Sequence, residues 1–153
     1  MSDTRGTEAA YRLHADGAAR GNPGPAAYGF VLDSPQGAEV AAGGEAIGRA
    51  TNNVAEYRGL IAGLERALAL GVRRLEARMD SELVVRQMTG QYRVRNHGLL
   101  PLHRRARELS LGFEAWSIEH VRREQNKRAD ALANRALDEL GAGAGGNGTE
   151  SAR

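Results

Sequence analysis

The chain contains no cysteine. That excludes a disulfide framework and any thiolate metal site. No apolar run approaches the roughly 18 residues of a membrane span, so no membrane partner is expected. The opening residues Met-Ser-Asp-Thr-Arg-Gly lack the apolar core of a secretory signal. The expectation is a cytoplasmic protein. Lysine is nearly absent too: Lys127 stands alone against twenty arginines. Arginine suits bidentate contact with phosphate. Net charge is only +2, so charge summed over the chain excludes little. Acidic residues, however, are missing from the whole of Leu83 to Arg107, which holds Arg86, Arg93, Arg95, Arg104, Arg105 and Arg107. A one-signed stretch in a nearly neutral chain points to an anionic partner. The plain alternative is a solvated face.

What is present predicts one domain. At 153 residues the chain can bury roughly two thirds of its unfolded surface. Residues 1–10 are polar and read as a flexible N-terminus; 141–153 are Gly/Ala-rich and read as a disordered tail. Between them, 11–140 carries the periodic patterns. Alternation predicts strands near 11–16, 27–33 and 38–47, with the glycine- and proline-rich run between the first two outside regular structure. Thr51-Asn52-Asn53 opens a helix with the stripe Val54, Tyr57, Ile61, Leu64 and Leu68, stopped by Gly71. Gly59 and Gly63 are costly inside it and imply close packing on the sheet. A fourth strand spans 74–79, with a short helix from Ser81 to Met88. Gly90 to Gly98 is a basic loop. Pro101 sits in the first turn of the next helix. A fifth strand covers 113–121, and Asn126 caps a last helix that buries Leu132, Ala133, Ala136, Leu137 and Leu140. The order β-β-β-α-β-α-α-β-α implies a mixed sheet, an antiparallel meander followed by parallel strands.

Four acids recur at strand ends and on helix faces: Asp16, Glu56, Asp80 and Asp130. Each has a local alternative. Glu56 lies three residues after Asn53, as in a capping box. Asp80 could cap the helix beginning at Ser81, and Asp130 suits a helix N-terminus. Glu56 and Asp130 border the buried stripes of their helices, which would aim both carboxylates toward the sheet, and if the first and fourth strands are neighbours Asp16 and Asp80 project nearby. Converging carboxylates repel unless cations neutralise them. Oxygen-only ligands favour Mg²⁺ or Mn²⁺. Two such ions can clamp the attacking and leaving oxygens of a phosphodiester.

Asp16-Gly followed by Gly21-Asn-Pro-Gly-Pro, then Thr51-Asn-Asn-x-x-Glu56, then Asp80-Ser, then Asn126-x-x-Ala-Asp130-x-Leu-Ala-Asn134 resembles ribonuclease H of the type 1 family. The resemblance covers about 11–140, in the family's order. It implies the ribonuclease H-like α/β fold, a five-stranded mixed sheet flanked by helices. It implies a metal-dependent endonuclease that cuts the RNA strand of an RNA–DNA hybrid, leaving a 5′-phosphate and a 3′-hydroxyl. Asp16, Glu56, Asp80 and Asp130 match the family's catalytic metal ligands, for two Mg²⁺ or Mn²⁺ ions. Asn22 and Asn53 match residues that reach the minor groove, and Thr51 matches a hydroxyl on a DNA phosphate. RNA would be told from DNA by its 2′-hydroxyls.

Three departures stand out. Glu82 replaces a glutamine common in the family, which adds negative charge near the substrate. Gly90 to Gly98 is too short for the family's basic protrusion, so grip falls to Arg93 and Arg95. The loop before Asp130 is short and lacks the family's mobile histidine. His120 lies at a strand end and reads as structural, which leaves Glu124 as the other titratable candidate. The chain is similar to compact archaeal and actinobacterial members, some of which also cut double-stranded RNA; a monomer is expected. Competing readings are a non-catalytic hybrid- or RNA-binding module and a protein-interaction domain.

Overall fold

The computed structural model describes residues 9–146. Five strands, β1 (Tyr11–Ala19), β2 (Gly24–Asp33), β3 (Glu39–Ala50), β4 (Arg74–Met79) and β5 (Ala115–His120), form one sheet in the order β3-β2-β1-β4-β5. The first three pair antiparallel; β4 joins β1 and β5 joins β4 in parallel. This is the mixed sheet that the element order implied. Helices α1 (Asn52–Ala69), α2 (Glu82–Met88), α3 (Leu100–Ser110) and α4 (Lys127–Gly146) complete the architecture, with one 3₁₀ turn at Arg123–Gln125. Among the described residues, no helix is long and apolar enough to cross a membrane.

The helices take opposite faces of the sheet. Tyr28 and Gly29 are adjacent on β2, so they point to opposite sides. A Cβ on Gly59 of α1 would meet Tyr28 Cβ at 3.1 Å, whereas one on Gly29 would meet the Ala129 carbonyl of α4 at 2.3 Å. The core lies mainly under α1, where Leu13, Ala15, Tyr57, Leu60, Leu64 and Leu75 are all essentially solvent-free. Tyr57 is satisfied inside it: its hydroxyl donates to Gln87 Oε1 at 2.7 Å.

The first hairpin corrects the sequence reading. Strands β1 and β2 continue into the glycine- and proline-rich run, pairing through Gly17–Tyr28, Ala18–Ala27 and Ala19–Ala26. Only Arg20 to Pro23 turns, with a cis Asn22–Pro23 bond. Local propensity marks the glycines as breakers, but Gly17 is a strand residue because α1 crosses there. A Cβ on it would lie 2.3 Å from the Ala55 carbonyl carbon and from the Glu56 nitrogen.

Other boundaries also move. β3 extends to Ala50, and β5 is shorter than expected at both ends. Helix α4 runs to Gly146, six residues past the expected end of the folded region, and Leu140 is exposed rather than buried. The remaining expectations of loose ends, over 1–8 and 147–153, lie outside the described residues.

Candidate active site

Asp16 sits on β1, on the face that α4 covers, and is 5% exposed. Its Oδ1 accepts from its neighbour's backbone, Gly17 N, at 2.9 Å. Asp80 follows the last residue of β4. Asp130 lies in the first turn of α4, and Glu56 one turn into α1. The capping readings of Glu56 and Asp80 fall away. The N-cap of α1 is Thr51, whose Oγ1 accepts from Val54 N at 3.2 Å, so Glu56 lies beyond capping-box range. The N-cap of α2 is Ser81, whose Oγ accepts from Val84 N at 3.2 Å. Neither carboxylate is needed by its helix end.

All four acids line one cleft of about 880 Å³, together with Asn22 and Asn53. Thr51, Arg93 and Arg95 do not line it. The two arginines are exposed on the loop between α2 and α3 and have no side-chain partner among the described residues. Glu82 also departs from expectation. Arg86 holds it at 2.7 Å, so its extra negative charge is already paired. His120, the last residue of β5 and the ladder partner of Met79, is exposed on the cleft wall rather than packed in the core. Arg122, Arg123 and Glu124 share that wall.

Asp80 and Asp130 meet donors that orient them without neutralising them. Asn126 Nδ2 donates to Asp80 Oδ1 at 3.1 Å, and Asn134 Nδ2 to Asp130 Oδ1 at 3.2 Å. Sequence reasoning gives Asn126 a capping side chain. Instead the side chain turns back toward the sheet, and only its backbone carbonyl serves α4, accepting from Asp130 N. Two further residues escape sequence reasoning. Asn52 Oδ1 accepts from Ala19 N at 2.8 Å, while its own N–H donates to Asn22 Oδ1 at 3.1 Å. That pins the hairpin turn and leaves the Asn22 amide nitrogen for a ligand. Arg20, on the same turn, pairs with Asp138 of α4 at 2.7 Å. The Asn-Asn dipeptide is visible in the sequence as a place to look; nothing local marks Arg20.

The electrostatics are those of a site short of positive charge. Burial lifts the Asp16 carboxyl far above the usual carboxylate range, and the Asp80 charge and the Asp130 hydrogen bond lift it further against the Gly17 N–H. Burial also pushes Glu56 up to about 7, with the Asp80 charge adding to it and a Ser81 hydrogen bond opposing. Crowded carboxylates of this kind gain most from a hard cation. The donor set is oxygen only, which fits Mg²⁺ or Mn²⁺. Among the described residues no three Asp, Glu or His side chains enclose an ion by themselves. Mg²⁺ does not require that, since one or two carboxylates plus substrate phosphates usually suffice.

The chain matches the family model described as "Reverse transcriptase-like" over residues 14–136. It is 57% identical over 130 residues to ribonuclease HI of Halobacterium salinarum, covering 84% of this chain and 65% of that protein. The crystal structure of that organism's RNase H1 superposes with a TM-score of 0.82, at 55% identity, over 84% of this chain and 98% of that one. The bifunctional protein Rv2228c of Mycobacterium tuberculosis is 50% identical over 127 residues, 82% of this chain but 35% of that protein. This chain therefore spans about two thirds of the halobacterial relative and about one third of the mycobacterial one. LC11-RNase H1, solved in complex with RNA/DNA hybrid, superposes with a TM-score of 0.81 at 38% identity, covering 85% of this chain and 98% of that one. With its strand order, its four cleft carboxylates and these relatives in agreement, the chain belongs to the ribonuclease H family.

Proposed function

We propose that this protein is an endonuclease that hydrolyses the RNA strand of RNA–DNA hybrids, leaving 5′-phosphate and 3′-hydroxyl ends. The observation that carries this reading is the convergence of Asp16, Glu56, Asp80 and Asp130 on one cleft that also holds Asn22 and Asn53. The structure of LC11-RNase H1 with a hybrid supports the choice of substrate. The four carboxylates would hold two divalent cations, Mg²⁺ or Mn²⁺. When bound, these supply positive charge to the attacking and leaving oxygens of the phosphodiester.

The chain's own residues do the rest. Asn22 and Asn53 present amides to the minor groove, with the Asn22 turn held rigid by Asn52. Thr51 uses a lone pair to cap α1, which leaves its hydroxyl hydrogen for a DNA-strand phosphate. Arg93 and Arg95, lying off the cleft, grip the backbone further along the duplex. Arg122 and Arg123 put charge beside the scissile phosphate, and being permanently charged they act as electrostatic groups rather than acid–base ones. We place the catalytic domain over 11–140, with the end of α4 running on beyond it to Gly146, and we propose that it acts as a cytoplasmic monomer.

The test is cleavage of end-labelled hybrid, duplex RNA and duplex DNA with Mg²⁺ and with chelator. Metal-dependent cleavage of the RNA strand of the hybrid is expected. Binding without cleavage at any cation concentration would make this a recognition module instead. Cutting of duplex RNA would widen the substrate class without changing the site.

A further inference from the structure

The parallel ladder between β1 and β4 runs from Tyr11–Leu75 to His14–Arg78 and stops there. One residue beyond it β1 reaches Ala15, then Asp16; β4 ends at Met79, then Asp80. Two like-charged carboxylates therefore leave neighbouring strands just where backbone pairing no longer fixes their spacing. Asn126 fills that gap and is 1% exposed. Its Nδ2 donates to the Ala15 carbonyl at 2.9 Å and to Asp80 Oδ1 at 3.1 Å. Both partners are acceptors, so the orientation of the amide is settled: flipped, it would set oxygen against oxygen. Its backbone carbonyl accepts from Asp130 N at 3.1 Å. One residue thus touches the neighbour of Asp16, Asp80 itself and the backbone of Asp130.

A packing role does not account for this. Asn126 Oδ1 is buried and has no hydrogen-bond partner among the described residues. An unmet buried acceptor costs stability that an apolar side chain of similar size would avoid. What the amide supplies in this place is its nitrogen, which bridges the Ala15 carbonyl and Asp80. The donor is also neutral. Lysine or arginine at this place would pair with Asp80 and compete with a cation, whereas an amide orients the carboxylate and leaves its charge intact.

We propose that Asn126 is a positioning residue that substitutes for the missing ladder, setting the spacing of Asp16, Asp80 and Asp130 for cation binding. This rests on the metal-dependent reading of the cleft. Removing partners of this kind typically costs ~10–100-fold in metal affinity or activity.

The test compares the full chain with Asn126→Ala and Asn126→Asp. The second is isosteric, but it replaces the donor with a charged acceptor beside Asp80. Hybrid cleavage is measured against Mg²⁺ and Mn²⁺ concentration, and each protein's melting temperature with and without cation. Expected are folded variants whose half-saturating cation concentration rises at least about tenfold, or whose kcat falls by that factor, with KM for hybrid unchanged. The cation-induced rise in melting temperature should shrink in step. A folded Asn126→Ala with the wild-type cation response would overturn the proposal. So would a loss confined to KM. If the variants do not fold, the wild-type protein decides. The Asn126 side-chain NH₂ signals should exchange slowly with solvent and move when Mg²⁺ is added; fast exchange without any response would refute the role. Failure of the wild type to cleave hybrid would sink the enzymatic reading alone, because the thermal and NMR arms need no turnover.

Discussion

Removing divalent cations should make the stability of this fold fall as pH rises, and Glu56 allows the effect to be sized. Its carboxyl is lifted from an ordinary 4.5 to about 7. An acid whose folded-state pKa is raised holds its proton more tightly in the native state than in the unfolded chain. Its contribution is neutral below about pH 4.5 and becomes a growing penalty from there up to about pH 7. Across that window each pH unit costs about 1.4 kcal/mol, so the full penalty approaches about 3 kcal/mol. For a domain of this size that corresponds to roughly 6–12 °C in melting temperature. Asp16 acts in the same direction, because its carboxyl is also raised. His14 acts in the opposite one. Burial and Arg78 lower its pKa, so it destabilises the fold at acid pH and ceases to do so as pH rises toward 6.5.

Comparison with Glu56→Gln isolates the carboxyl, since glutamine matches its size and never ionises. In chelator, denaturant melts of the two proteins should coincide near pH 4 and diverge as pH rises. By about pH 8 the variant should be the more stable by up to roughly 3 kcal/mol. Saturating Mg²⁺ should restore the wild type and do less for the variant, by mass action on the folded state. A gap that stays constant with pH would refute the reasoning, for it would mean that Glu56 ionises as freely folded as unfolded. A gap that ignores Mg²⁺ would detach Glu56 from the cation site.

Asp16→Asn and Asp80→Asn should lower single-turnover cleavage by orders of magnitude while far-UV circular dichroism stays unchanged; near-wild-type rates would remove that residue from the site. Arg93→Ala and Arg95→Ala should each reduce the slope of log affinity for hybrid against log salt by about one, because a phosphate left without its arginine keeps its counterion. An unchanged slope would leave both side chains in solvent. Gly17→Ala should destabilise by at least about 1–3 kcal/mol, since the added methyl meets α1 backbone that cannot rotate away. Because that backbone leads into Glu56, its chelator-sensitive pH dependence should be disturbed as well, and a wild-type melting curve would show that α1 does not approach this closely.

The features legible in the sequence are those with a local signature. Helix α1 announces itself through Thr51, its apolar stripe and Gly71, and β4 through the alternation of Leu75, Ala77 and Met79. The acids are legible as a set because four motifs occur in one order, although each acid alone has a local explanation. For Glu56 and Asp80 that explanation fails by one or two residues. Once Thr51 and Ser81 take the N-cap positions, both carboxylates are surplus to their helices and free for the cleft. What is not legible depends on interactions between segments far apart in the chain. Asn126 reaches Ala15 across 111 positions, and Arg20 reaches Asp138 across 118. A cap is what Asn beside a helix start usually is, and no spacing rule reports that its amide is pulled elsewhere. The hairpin shows the same competition most directly. Local propensity reads glycine as an interruption, and on that basis β1 ends at Asp16. Yet a Cβ on Gly17 would strike Ala55 and Glu56, and one on Gly59 would strike the Asp16 carbonyl at 2.7 Å. The two glycines lie where β1 and α1 press together, and it is this close approach that brings Glu56 to the cleft where Asp16 sits. The residues that look like a break in the strand are what allow the site to close.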